Sequence, residues 1–546
     1  MRLINTSTLQ LESFSSSKST PPYAILSHTW GKDEDEVSFE DMKPKFRSSQ
    51  TEKKYGFEKI KATCQLARNE YNLKYAWIDT CCIDKSSSAE LSESINSMFT
   101  WYREAVVCFA FLADWEPEDQ TFTCFKWFTR GWTLQELVAS KTIIFYDKTW
   151  QARGNKPTHC AEIARISSIS EDVLTGQTQL AAVPVAVRLS WAAERTTTRE
   201  EDIAYSLLGI FDINMPMLYG EGSKAFLRLQ EEIIKNTADM SIFAWKALPE
   251  TCQDCMGILA PSPREFKHAS RMYPALSHSL VGERVEFSIS NRGVEFHAPL
   301  QTDKSTGYSI LPILHSDLTP DVSISDFFIS ERTTGYGVYL RWTGSTYVRR
   351  RPYSLANFVL QYKAMSNPTS FRAFKKLSAE DSDAVGRREV IIRKPADLEH
   401  PNFGLATVKP KSAWIPSIRT LAASHTMYSV ASLNFKPIWT NEFPSFTLIC
   451  KFENPRGTRF SPGFWKCDLV QEGDEWQTKR ILDHFSTYDV LACPDDTPSL
   501  VTKILDLPHL RGDSRTKRVV LSLQRERNEE NGSTQVFIDL EVSDRD

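Results

Sequence analysis

The chain has 546 residues, 41% of them hydrophobic and 25% charged, with a formal net charge of -4. That composition suits a globular protein of roughly two to four domains and excludes a long disordered or strongly basic chain. With no long basic run, no nucleic-acid partner is expected.

The opening, MRLINTSTLQLESF, has no continuous apolar core, so no secretory signal is expected. No window is apolar for 18 residues, which argues against a membrane span. Eleven scattered cysteines fit a reduced, cytoplasmic protein. Residues 23–27 (YAILS) form a compact apolar run, followed by an acidic loop, GKDEDEVSFEDM. Phe57, Ile60, Cys64 and Ala67 then recur at helical spacing. A second strand is predicted at 74–79 (KYAWID). Ser87 and Glu90 have capping-box spacing, and Leu91, Ile95, Met98, Phe99 and Tyr102 make one helical stripe. VVCFAFL (106–112) reads as a strand buried on both faces, and TIIFY (142–146) as a fourth strand. Between them, RGWTLQELVA carries Trp132, Leu134, Leu137 and Val138 on an apolar helix side, with Glu136 set beside it.

Four apolar strands alternating with helices predict an α/β doubly wound domain. Its parallel sheet would have helices on both faces and right-handed crossovers. Residues 150–240 read as a helical extension. Thr198 and Glu201 have capping-box spacing there, and Gly220 and Gly222 in YGEGSK fit a helix start better than a phosphate loop. From about 250 onward, alternating segments such as RVEFSISNRGVEFHAPL and TQVFIDLEV predict a β-rich domain, sandwich-like or barrel-like. Cys252 and Cys255 form a lone CxxC, read as two thiols because no second pair follows. Arg349, Arg350 and Arg351 are read as a solvated face.

In a doubly wound sheet, ligands bind beyond the carboxyl ends of the strands. Ser27, His28, Thr29, Trp30 and Gly31 follow the first strand. Asp79, Thr80, Cys81, Cys82, Asp84 and Lys85 follow the second, Asp114 and Trp115 the third, and Glu136 begins beyond it. One chemistry for this set is cleavage of an N-glycosidic bond. A carboxylate there stabilises a cationic sugar and an aromatic ring such as Trp30 stacks on a base. Taken alone, Glu136 reads as a surface glutamate, and Trp30 and Trp132 as packing residues. A thiol hydrolase built on Cys81 or Cys82 with His28 lacks a visible orienting group. A metal site from His28, Asp79 and Asp84 lacks a familiar ligand spacing, so no metal is expected.

The segments YAILSHTWG, YAWIDTCCIDKSSSAELSESINSMFTWYREA, FTRGWTLQELVAS and RTTTREEDIAYSLLGIFDINMPMLYGEGSKAFLRLQEEI resemble the heterokaryon incompatibility (HET) domain of filamentous fungi, over roughly residues 20–240. The resemblance implies a fungal self/non-self recognition or defence protein whose activation leads to cell death. The same region is more remotely similar to Toll/interleukin receptor (TIR) domains, which have a flavodoxin-like sheet. WTLQELVASKTIIFY follows the TIR order, with Thr133 where cysteine is common. In enzymatic TIR domains the glutamate of that motif supports release of nicotinamide from NAD. The resemblance thus implies Glu136 as catalytic, with Ser27, His28, Trp30 and Asp79 lining an NAD pocket, NAD being substrate rather than cofactor. It equally allows a non-catalytic signalling module that self-associates through this region and answers to an unknown activating partner. The expected organisation is a HET domain with a TIR-like core at 1–150, a helical extension at 151–245, and a β-rich, regulatory domain at 251–546.

Overall fold

In the computed structural model the apolar runs 23–28 and 107–111 lie side by side, and every residue of both is buried. The structure describes residues 1–274 except 15–19, 44–47, 120, 251, 252 and 254. Beyond them it describes chiefly the strands and a few connections. The chain divides into two compact units. The first comprises Met1–Trp245, Leu259–Pro274 and His315–Ser323; the second comprises Lys246–Ile258, Ala275–Leu314 and Ile324–Asp546.

The first unit holds a seven-stranded sheet: β1 (Arg2–Asn5), β2 (Leu11–Ser13), β3 (Tyr23–His28), β4 (Tyr75–Trp77), β5 (Val107–Phe111), β6 (Ile143–Tyr146) and β7 (Ala152–Asn155), in the order β2-β1-β4-β3-β5-β6-β7. The central four, β4-β3-β5-β6, are parallel. They are the four strands predicted from sequence. Continuous apolar runs suit them, because a parallel strand covered by helices has no solvated face. The sheet is nevertheless mixed, not purely parallel. β1 and β2 form a hairpin that adds antiparallel to β4, and β7 pairs antiparallel with β6. These edge strands escaped the sequence reading because they are short and mostly half-buried, with two buried residues in β1 and none in β2 or β7.

Twelve α-helices are described in this unit. Six precede β6: α1 (Phe39–Met42), α2 (Tyr55–Tyr71), α3 (Asp79–Cys82), α4 (Ser88–Glu104), α5 (Lys126–Thr129) and α6 (Trp132–Ala139). Six follow β7: α7 (Cys160–Ser167), α8 (Glu171–Leu174), α9 (Val185–Ser190), α10 (Asp202–Tyr205), α11 (Leu208–Phe211) and α12 (Lys224–Asn236). The stripe predicted on α2 is buried at Phe57, Ile60, Cys64 and Ala67. Ser87 caps α4 by accepting from the Glu90 amide, but the Glu90 carboxylate accepts from the Asp84 amide at 2.8 Å, so only half of the predicted box forms.

The predicted single helix after Thr198 is two short ones, α10 and α11. Glu201 does not close a box with Thr198. Its Oε1 instead accepts from the amides of Gly220 (2.7 Å) and Gly222 (3.0 Å). Both glycines have positive φ, +101° and +56°, which turns their N–H groups toward one anion. The glycine loop that hints at a phosphate site thus already holds a carboxylate of its own chain.

The second unit is β-rich. Its described strands form nine-, six- and five-stranded sheets, mostly antiparallel. The predicted turn after RVEFSIS is a hairpin of Glu286–Ser290 with Gly293–Ala298. The arginine cluster corrects the sequence reading. Arg349 is 0% exposed and Arg350 5%, so this is no solvated face. Arg350 donates to Cys255 Sγ (3.2 Å) and to the Tyr308 hydroxyl (3.3 Å). Burial pushes the Arg349 pKa down to about 9. Cys255 is buried, while Cys252 lies outside the described residues. Among the described residues no helix is long and apolar enough to cross a membrane.

Candidate functional site

Successive side chains of a strand point to opposite faces of its sheet. At the carboxyl end of β3 this rule sends Ser27 toward α6 and His28 toward α2. The sequence-predicted site residues therefore fall into two clusters, one on each side of a single strand tip.

On the α6 side, Ser27 donates a short hydrogen bond to Glu136 Oε2 and accepts from Trp127 Nε1 at 2.7 Å. Ser27 and Trp127 are fully buried, and Glu136 is 7% exposed. Burial pushes the Glu136 pKa up to about 8. The charge of Asp79 adds to the rise, while the hydroxyls of Ser27 and Tyr102 and the Arg130 guanidinium oppose it. Near neutral pH this side chain is largely a carboxylic acid. Tyr102 donates to the Leu26 carbonyl at 3.0 Å and fixes α4 against the same strand.

Helix α6 is held at both ends by later parts of the chain. At its start, Trp132 Nε1 donates to Asp202 (3.3 Å), and Arg195 Nη1 donates to Thr133 Oγ1 (3.1 Å) and the Arg130 carbonyl (2.8 Å). At its end, the buried Lys156 ammonium donates to the carbonyls of Leu137 (2.9 Å) and Ser140 (3.1 Å). A cation at a helix C-terminus meets the negative end of the dipole and satisfies carbonyls that lack helical partners. Burial pushes the Lys156 pKa down to about 8. The segment after β7 thus sets where Glu136 stands.

On the α2 side, His28 Nε2 lies 3.1 Å from Asp79 Oδ1, and Trp30 Nε1 donates to Asp79 Oδ2 at 2.8 Å. Lys59 Nζ is 3.2 Å from His28 Nδ1 and 2.6 Å from Glu36 Oε1. An ammonium only donates, so this network assigns Nδ1 as acceptor and places the imidazole proton on Nε2, facing Asp79. Burial raises the Asp79 pKa, but His28, Lys85 and Trp30 outweigh it and hold the carboxyl below its ordinary value. Trp30 is 40% exposed, and the Lys85 ammonium sits 3.7 Å from its ring centroid. Beside Trp30 opens a cavity of about 380 Å³, walled by Glu36, Thr80, Asp84 and Lys85 among others; Glu136 is not in its wall.

Sequence reasoning missed Lys59, Glu36 and Trp127. A lysine inside an amphipathic helix reads as solvated, yet Gly56, Lys59 and Thr63 share one buried face of α2. The small residues on either side were the available signal. Gly56 is required there: a Cβ would come within 2.9 Å of Glu36 Oε2 and 2.8 Å of the Val37 amide nitrogen.

The other candidates stand apart from these clusters. Cys81 and Cys82 are buried in α3, and their sulfurs engage the Ile78 backbone rather than His28. A hydrogen bond with Cys82, together with burial, pushes the Cys81 thiol well above its ordinary pKa, the reverse of an activated nucleophile. Asp84 is turned to Ser86, whose amide lies 3.0 Å from its Oδ1. Asp114 Oδ2 caps α5 by accepting from the Lys126 amide at 2.8 Å. Trp115 is packed between Phe122 and Phe125.

Residues 23–125 match the family described as heterokaryon incompatibility protein (HET), and residues 224–256 match one described as a domain of unknown function, DUF8212. Over 227 residues, 40% of this chain, the sequence is 44% identical to the vegetative incompatibility protein HET-E-1 of Podospora anserina. The match spans 16% of that relative's length. No solved structure matches the chain.

Proposed function

We propose that this chain, a heterokaryon incompatibility protein by its N-terminal region, acts in self/non-self recognition and triggers cell death by cleaving the N-glycosidic bond of NAD. The single observation that carries this reading is the buried pair of Ser27 and Glu136 at the carboxyl edge of a parallel sheet. The four parallel strands run second-first-third-fourth, the order that begins a flavodoxin-type sheet, in which ligands bind beyond the strand ends. That order supports the likeness to TIR domains on which the NAD reading leans.

In this reading the bond between ribose and nicotinamide breaks, and its electron pair leaves with the neutral nicotinamide. Water adds to the sugar carbon and gives up a proton. Glu136, once ionised, faces the developing positive charge, and Ser27 keeps the carboxylate aimed. The positive ring of bound NAD favours that ionisation. Trp30, held by Asp79, offers a face for a base on displacement of Lys85. Cleavage is therefore expected to rise with pH until Glu136 is ionised, near pH 8.

A second reading is a non-catalytic, self-associating signalling module. It draws on the enclosure of Glu136, which is 7% exposed in this conformation. The test is nicotinamide release from NAD by the full chain and by Glu136→Gln, followed chromatographically at several protein concentrations. Release by wild type and a loss of at least about 100-fold in the variant supports cleavage. Equal release by both removes Glu136 from the chemistry, and no release at any concentration favours the module.

A further inference from the structure

A cavity of about 710 Å³ opens in the first unit, on a different side of α4 from Glu136. Its size falls within the range of small-molecule sites. The walls come mainly from α4 and from α11 with the residues that follow it. The contact of α4 with α11 is very close: a Cβ on Gly209 would lie 2.1 Å from that of Phe99. Such packing holds the two walls together without a ligand.

Arg188 of α9 lines this cavity. Its guanidinium has five N–H donors. Nη1 donates to the Ile210 carbonyl at 3.1 Å, and the group lies over the Phe211 ring, 4.6 Å from its centroid. Nε is buried and, among the described residues, has no hydrogen-bond partner. Burial, only partly offset by Asp239, pushes the Arg188 pKa down to about 10, so the cation is underpaired yet still charged at neutral pH. Underpaired donors on a partly buried cation favour an anionic acceptor, and a guanidinium fork matches phosphate oxygens in pairs. Nearby, the half-buried rings of Phe99 and Trp101 offer apolar surface. Glu93, Glu104 and Asp212 also line the space. Arg103 lines it too, so three acids face two guanidiniums, a balance that suits a single phosphate better than a polyphosphate.

We infer that this cavity is a binding site for a nucleoside monophosphate, its phosphate on Arg188 and its base against the aromatic wall of α4. The site is separate from the proposed cleavage chemistry and does not depend on it. Helix α4 lies between the two places. Trp101 lines the cavity and its carbonyl accepts from Tyr23 at 2.6 Å, while the next residue, Tyr102, stands beside Glu136.

The experiment is thermal unfolding and calorimetric titration of the full chain with AMP, with adenosine and with inorganic phosphate. AMP is expected to bind saturably and raise Tm by a few degrees at about 100 times its Kd. Adenosine and phosphate alone are expected to bind at least about tenfold more weakly. Arg188→Gln should weaken AMP by tenfold or more, the loss of a charge-assisted contact. Because that change also removes the Ile210 contact, Ser97→Phe provides a second test: it fills the cavity from α4 and leaves Arg188 in place. Glu136→Gln should bind AMP as wild type does, which separates this inference from the NAD reading. No saturable AMP binding, adenosine binding as tightly as AMP, or full affinity in both Arg188→Gln and Ser97→Phe overturns it.

Discussion

The two sides of the β3 tip differ in how they treat an acid. Ser27 and His28 are neighbours in sequence, yet they serve carboxylates held in opposite protonation states. On the α6 side, Glu136 has two hydroxyls and, among the described residues, no ion-pair partner, and burial dominates. On the α2 side, Asp79 keeps about a fifth of its side chain exposed and gains an imidazole, an indole and the nearby Lys85 cation. Burial raises both pKa values; only Asp79 has enough donors to reverse the effect. The difference teaches that depth alone does not set charge here. The number and kind of donors decide it.

The largest expected effect breaks the comparison at Glu136. Its folded pKa of about 8 lies above the unfolded value of 4.5. The stability tied to its proton is complete below pH 4.5 and is lost as pH rises through about 8. By linkage the loss is roughly 5 kcal/mol. Glu136→Gln should match wild type near pH 4 and lack this decline, as read from urea unfolding between pH 4 and 9. An equal decline in the variant means that Glu136 is ionised in the fold and that the two sides do not differ. Lys156 has the opposite sign: its folded pKa, about 8, lies below 10.5. The stability linked to its neutral form is complete above pH 10.5 and is lost as pH falls through about 8, so Lys156→Met should flatten the curve between those values.

Next in size is Lys59→Met. It leaves Glu36 without its ammonium partner in a nearly closed environment, where the two side chains are 2% and 10% exposed. Stranding one member of a buried pair costs about 3 kcal/mol or more. The same change releases His28 Nδ1, so the imidazole NMR signals should show a mixture of tautomers. A loss under about 1 kcal/mol with an unchanged imidazole would mean that Lys59 does not organise the α2 side.

How much of this was legible follows from which patterns burial writes into a sequence. The four parallel strands were readable because β3 and β5 must be apolar on both faces, and α2 and α4 because their stripes repeat at helical spacing. The hairpin of β1 and β2 was not, since an edge strand need bury little. Convergence of Ser27, His28, Trp30, Asp79 and Glu136 at one sheet edge followed from strand order. Their division between two faces lay in the same pattern, because adjacent strand residues cannot share a face. Lys59 was missed and Arg349 misread for one reason. Charge in a sequence implies water unless burial is known, and burial is set by distant elements. Glu201 shows the converse, a capping signal spent on two glycine amides nineteen and twenty-one residues away.

The smallest expected effect tests whether the α2 side is as tolerant as its exposure implies. Trp30→Phe keeps an aromatic face under Lys85 but removes the indole N–H that Asp79 accepts. Asp79 retains His28 and partial contact with water, so the carboxylate is not stranded. The hydrogen bond is charge-assisted, but Trp30 is 40% exposed and solvent screens it. The expected loss is about 1 kcal/mol or less. Urea unfolding at pH 7 measures it directly. A loss of about 3 kcal/mol would show that Asp79 depends on the indole as a buried acid depends on its last donor. The contrast between the two faces of β3 would then be one of degree, with Asp79 as enclosed in practice as Glu136.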